Sequence, residues 1–184
     1  MSSQDELRTI ALAEFASAGY SATSLHRIAE LAGLSKSSVL YHYASKEALL
    51  EATIGPAVDR MAEILASMKR SGLAGADREE FLTDFVDFLL AHRLEVHMFI
   101  NQGPSLEDVP VIDRANGLVV SLANFFSANT ASIEDQMRFG IALGGAAYML
   151  CTAQNLDLED APIQETRAAL LSIMGELLSP VRTR

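Results

Sequence analysis

Apolar residues in the first fifty positions recur at helical spacing. Leu7, Ile10, Ala11 and Phe15 fall at i, i+3, i+4 and i+8, one face of a helix over about residues 5–18 that stops at Gly19. Leu25, Ile28, Ala29 and Ala32 form a second stripe, with Thr23 or Ser24 as its cap. Gly33 follows, where a left-handed residue would turn the chain sharply. Ser35 caps a third, short helix reaching Tyr41 or His42, and Ser45 caps a fourth. Gly55-Pro56 predicts a kink or break in that fourth helix, because proline removes a backbone donor and glycine weakens the turn before it. Helix should resume to about Arg70. After a loop over 71–77, helical patterns occupy about 78–92, 94–102, 109–127, 132–155 and 162–178. Pro162 suits a first helical position. No period-2 run is bounded by a hairpin dipeptide, so the fold class is all-α.

Composition turns this string of helices into two parts. The chain has 184 residues, 49% of them apolar, enough for a small domain joined to a larger one. The expected division is 1–50 and 51–184. Formal net charge is -10, which argues at first sight against a nucleic-acid partner. Its distribution changes that. Residues 1–50 hold four Lys/Arg against five Asp/Glu; residues 51–184 hold ten against nineteen. From Leu31 to Lys46 there is no carboxylate. The acidity belongs to the C-terminal part, and the two parts present different surfaces to different partners. The single cysteine, Cys151, excludes an internal disulfide and favours a reducing, cytoplasmic location. "MSSQDELRTI" lacks the basic-then-apolar pattern of a secretory signal, and "FGIALGGAAYMLC" is too short to span a membrane.

Two short helices joined by a glycine turn, with a third bracing them, form a helix-turn-helix. Its second helix must protrude, be short enough for a major groove, and offer donors without repelling phosphates. "SKSSVLYHY" meets those demands. Val39 and Leu40 supply apolar anchoring; Lys36, Ser37, Ser38, Tyr41 and His42 supply donors. Lys46 and the first amides of the fourth helix offer a second phosphate site. His26 is either solvated or close to a phosphate.

The order of residues is more specific than the spacing. Phe15 with Gly19-Tyr20, Ala22-Thr23-Ser24, Ile28-Ala29, Ala32-Gly33-Leu34-Ser35-Lys36, Tyr41-His42-Tyr43 and Ser45-Lys46-Glu47-Ala48-Leu49 resemble the DNA-binding domain of the TetR family of bacterial transcriptional regulators. The match covers roughly residues 5–54. The resemblance implies that Lys36, Ser37, Ser38, Tyr41 and His42 face the major groove or its flanking phosphates. It implies that Lys46 contacts the DNA backbone, that Thr23 or Ser24 and Ser35 also can, and that Tyr43 packs inward. Two positions depart from the pattern. Many members carry tyrosine where this chain has Leu40, and glycine is common where it has Ser37.

For the acidic remainder, the same resemblance implies a homodimer on a palindromic operator, its interface built from the last two helices. Gly140, Gly144 and Ala147 lie near one face of the eighth helix, where another helix could approach closely. Leu170, Ile173, Met174 and Leu177 stripe the last helix; the alternative for both sets is a seam within one chain. The middle helices would hold a small-molecule effector, an apolar one by the character of the candidates: Phe85, Phe88, Leu89, His92, Met98, Phe99, Asn101, Phe125, Phe126, Tyr148 and Gln154. For each, ordinary core packing is the alternative.

Other chemistry finds little support. His92 and His97 are five apart and fall on different helix faces, so with Glu95 they make no ready metal pair. No phosphate loop, GxSxG or HExxH occurs, and no cofactor is implied. The expectation is a one-component regulator, in sense a repressor, with no enzymatic activity. Its effector would change the separation or orientation of two DNA-binding heads. The rivals are an all-α small-molecule binding protein or enzyme with a vestigial head, and a DNA-binding regulator that has no effector and works through a protein partner.

Overall fold

The computed structural model describes residues 3–106, 108–152 and 161–183. Among them are nine α-helices: α1 Ser3–Ala18, α2 Leu25–Leu31, α3 Lys36–His42, α4 Lys46–Ser71, α5 Ala76–Ala91, α6 Arg93–Gln102, α7 Pro110–Asn129, α8 Ile133–Cys151 and α9 Ile163–Leu178. A 3-10 turn, Gly103–Ser105, follows α6. No strand forms among the described residues; Thr130 and Thr183 make one isolated bridge.

The chain divides into two compact units, residues 1–58 with 94–115 and residues 59–93 with 116–184. In the first, Leu7, Ala11 and Phe15 of α1, Ile28 of α2, Val39 of α3, and Leu49 and Leu50 of α4 are fully buried. Full burial of one such leucine or isoleucine is worth about 1.5–3 kcal/mol, so the stripes that define the helices also hold them together. The turn after α2 closes as the sequence requires. Gly33 sits at φ +65, Leu34 N–H donates to the Ala29 carbonyl at 2.8 Å, and Gly33 N–H to Glu30 at 3.1 Å. These two bonds satisfy carbonyls that the helix end would otherwise leave open, and they aim α3 away from α2.

Residues 94–115 join this unit through particular side chains. The Gln102 amide accepts from Tyr20 N–H and donates to the Phe15 carbonyl, both at 2.7 Å. Arg114 pairs with Glu51 at 2.5 Å.

The second unit is built on aromatic packing. Phe126 and Phe139 stack at 4.1 Å between centroids, with Phe81 edge-on to Phe126 at 6.3 Å. α9 packs on α5 and α8, burying Met174 and Leu178. Arg78 and Arg138 donate to the Leu178 and Leu177 carbonyls at 2.9 and 3.2 Å, placing positive charge on the C-terminal end of the α9 dipole.

Of the kink or break expected in the fourth helix, the break does not occur: α4 runs on through Gly55-Pro56. Proline and glycine cost helix locally, but Thr53, Ile54, Ala57 and Val58 on both sides are buried, and Pro56 itself is exposed. Packing on the inner face outweighs the local penalty.

Candidate nucleic-acid interface

α3 begins with a hydroxyl cluster. Ser35 is extended at φ -81 and ψ 153, and its Oγ accepts the Ser38 N–H at 3.1 Å. The Ser37 and Ser38 hydroxyls each lie 2.8 Å from the same Oγ. The three serines are thus mutually positioned, with Ser37 outward and Ser38 half-buried. Val39 is fully buried, which fixes the roll of the helix. Lys36, Ser37, Leu40 and Tyr41 then face out together. Tyr41 is 86% exposed and stands edge-on to the His42 ring at 5.3 Å. Tyr43 is half-buried, and its hydroxyl donates to the Gln4 carbonyl at 3.5 Å.

Nearby carboxylates are engaged in the chain. Glu14 meets Arg27 at 3.3 Å, and Glu30 meets His26 at 3.4 Å. α3 itself carries no carboxylate, so nothing on its own outward face repels a phosphate.

Two residues sit differently from their sequence-based roles. Thr23 is buried, and its hydroxyl donates to the Gly19 carbonyl at 2.8 Å, so Ser24 alone caps α2 and offers a surface hydroxyl. Lys46 does not stand free. Its Nζ lies 4.2 Å over the Tyr20 ring, and burial lowers its pKa while the Glu47 charge pushes it back up. The start of α4 is also occupied. Ser45 Oγ accepts from Ala48 N–H at 3.1 Å. The Glu47 carboxyl is held below its usual range first by its own backbone N–H, then by the Ser45 hydroxyl and the Lys46 charge. Of the donors expected for a second phosphate site there, the Glu47 and Ala48 amides are thus engaged by side chains of the chain itself.

Sequence reasoning missed Tyr20 and Gln102. Tyr20 supplies the ring beneath Lys46, and burial, with Glu47 behind it, pushes its phenol up to about 12. Gln102 ties the α1–α2 turn from 82 positions away. A glutamine before Gly-Pro carries no local sign of such a partner.

The effector candidates are spread over both units. Met98, Phe99 and Asn101 belong to the first; Phe85, Phe88, Leu89, His92, Phe125, Phe126 and Tyr148 belong to the second. Gln154 lies outside the described residues. Phe85, Phe88, Leu89, Met98 and Phe126 are buried, whereas Asn101 and Tyr148 are exposed. The Phe88 and His92 rings meet at 5.1 Å. A crevice between α4 and α5, lined by Ile64, Met68, Asp77, Phe81 and Asp84 among others, encloses about 10 Å³, room for roughly one water. Burial drives the Cys151 thiol up to about 11, away from nucleophilic chemistry. Among the described residues no group of three or more His, Cys, Asp or Glu could hold a metal, and no helix is long and apolar enough to cross a membrane.

The interface candidates separate as well. Gly140 and Gly144 are exposed, and beyond the local helix an added Cβ would meet no atom of the described residues within 4 Å. Ile173 is 55% exposed; Ala147, Leu170 and Leu177 are half-buried. Met174 is buried and is a core residue of the chain itself.

Comparison with known proteins agrees with this geometry. Residues 8–53 match the family of bacterial regulatory proteins, tetR family. No curated protein sequence matches the chain. Among solved structures, the ketosteroid transcriptional regulator KstR2 of Mycobacterium tuberculosis superposes with a TM-score of 0.75 at 15% identity, over 100% of this chain and 96% of that one. A TetR transcriptional regulator family member from Streptomyces coelicolor A3 gives 0.71 at 19%, over 96% and 90%. A bacterial regulatory protein in the tetR family from Rhodococcus RHA1 gives 0.64 at 17%, over 97% of each. At these identities the likeness is one of fold.

Proposed function

We propose that this chain, which through residues 8–53 belongs to the TetR family of bacterial regulatory proteins, is a one-component repressor acting as a homodimer on a palindromic operator. Residues 1–50 form its reading head. Residues 51–184 carry dimerisation and the binding of a small apolar effector that releases the protein from DNA. The observation that carries the reading is the outward face of α3, where Lys36, Ser37, Leu40 and Tyr41 stand together with no carboxylate between Leu31 and Lys46.

In this reading Lys36 and Lys46 neutralise phosphates, while Ser37, Tyr41 and His42 reach base edges or sugar-phosphate oxygens. Ser24 and Ser35 donate to the backbone at the helix starts. Dimerisation uses the outward face of α8, where Gly140 and Gly144 leave space that no described residue fills, together with Ile173 of α9. The effector reading rests on the apolar character of α5 and α7, with Phe85, Phe88 and Phe126 as its main surface.

The test is binding of the full chain to duplexes selected from a randomised library, followed over a salt series. Lys36→Ala should weaken binding to all sequences and reduce the slope of log K against log salt by about one per lysine. Enrichment of no sequence, or an unchanged slope and affinity for both Lys36→Ala and Lys46→Ala, overturns the reading. A thermal-shift screen of apolar compounds tests the effector separately.

A further inference from the structure

We propose that Leu40 is a specificity residue of the reading head, packing against the C5-methyl group of a thymine in the major groove. This rests on the DNA-reading role of α3 argued above. Leu40 follows the buried Val39 by one position, so its direction is set by the core. It is 41% exposed. It shares the outward face with Lys36 and Ser37 one turn before and Tyr41 beside it.

A leucine at that place has no hydrogen bond to offer. Among the groups that base edges present in the major groove, the thymine methyl is the one apolar feature. The neighbours of Leu40 complete the logic. A lysine, a serine hydroxyl and a phenol surround it with donors for phosphate and for N7, O6 or O4 acceptors, and the local lack of carboxylates lets the face come close. One apolar side chain among donors fits a base step that presents one methyl among acceptors.

The experiment uses the full chain and a duplex it selects from a randomised library. Each thymine of a half-site is replaced in turn by uracil, symmetrically in both halves, which removes only the methyl. Affinities are measured by fluorescence anisotropy at fixed salt for the wild type, Leu40→Ala and Leu40→Met. One thymine should stand out. Its replacement should weaken the wild type by about fourfold per half-site, the factor for one buried methylene-sized group, and leave Leu40→Ala unchanged, with Leu40→Met retaining most of the effect. Circular dichroism establishes that the exposed substitutions leave the fold intact. If every uracil duplex shifts wild type and Leu40→Ala alike, or the selected half-site contains no thymine, the assignment of Leu40 is wrong while DNA reading by α3 stands. If no sequence is enriched, both fall.

Discussion

Gln102 satisfies two backbone groups that no helix satisfies, the Tyr20 N–H and the Phe15 carbonyl, each at 2.7 Å. Gln102→Ala should therefore cost about 1–3 kcal/mol, because it strands partners that are only part-buried but turned away from bulk water. The measurement is urea unfolding, with a lower midpoint at unchanged m-value; an unaltered midpoint would remove Gln102 from the account of the head. Tyr20 poses the opposite case. Its hydroxyl is buried and has no hydrogen-bond partner among the described residues. Tyr20→Phe should be neutral or stabilising by up to about 1 kcal/mol, because the ring beneath Lys46 is kept. The same substitution has a signature in alkali. The folded phenol titrates at about 12, against an ordinary value of 10.0. Between those values the folded state holds a proton that the unfolded state has lost, so stability falls as pH rises through that window. Tyr20→Phe should show a flatter decline there than the wild type.

At the scale of the helix, local signals governed the ends and packing governed the middle. Ser24, Ser35, Ser45 and Ser132 each accept a backbone N–H at a helix start, and Gly33 turns the chain as its lack of a side chain permits. The caps at Ser24, Ser35 and Ser45 and the turn at Gly33 were legible because cap chemistry acts over three residues. The continuity of α4 was not, since it depends on what Ile54, Ala57 and Val58 pack against. Pro56→Ala tests that balance. Restoring a donor for the Ala52 carbonyl on an exposed face should raise stability by about 1–3 kcal/mol. A loss on chemical denaturation would mean that the proline sets a bend the core needs. Ser132 offers a calibration of the cap itself. Its Oγ accepts from Asp135 N–H at 3.1 Å and donates to the Asp135 carboxylate at 2.9 Å. Ser132→Ala should cost about 0.5–2 kcal/mol.

At the scale of the molecule, the pairing of residues 94–115 with the N-terminal helices escaped the sequence. It is made by contacts such as Gln102 to Tyr20 and Arg114 to Glu51, separated by 82 and 63 positions, and no periodicity encodes such pairings. The α8 surface was half legible: its small residues stood out, but its exposed large ones did not. Ile133, Met137 and Ile141 are 74%, 62% and 62% exposed, spaced at i, i+4 and i+8 along one face, with Gly140 and Gly144 beside them. A lone chain gains nothing from keeping such a row in water, and a second copy would cover it. On the dimer proposed above, Ile141→Glu should therefore yield monomers in sedimentation at concentrations where the wild-type chain self-associates. The same variant carries the argument to DNA. A dimer reads two half-sites, so its salt slope counts the phosphate contacts of both heads. A monomer keeps one head, and Ile141→Glu should roughly halve the slope and weaken operator binding by orders of magnitude. Each α3 would remain folded, because Val39 and its core neighbours lie in the other unit. A dimeric Ile141→Glu, or a monomer with full affinity and an unchanged slope, would break the link between the α8 face and operator binding.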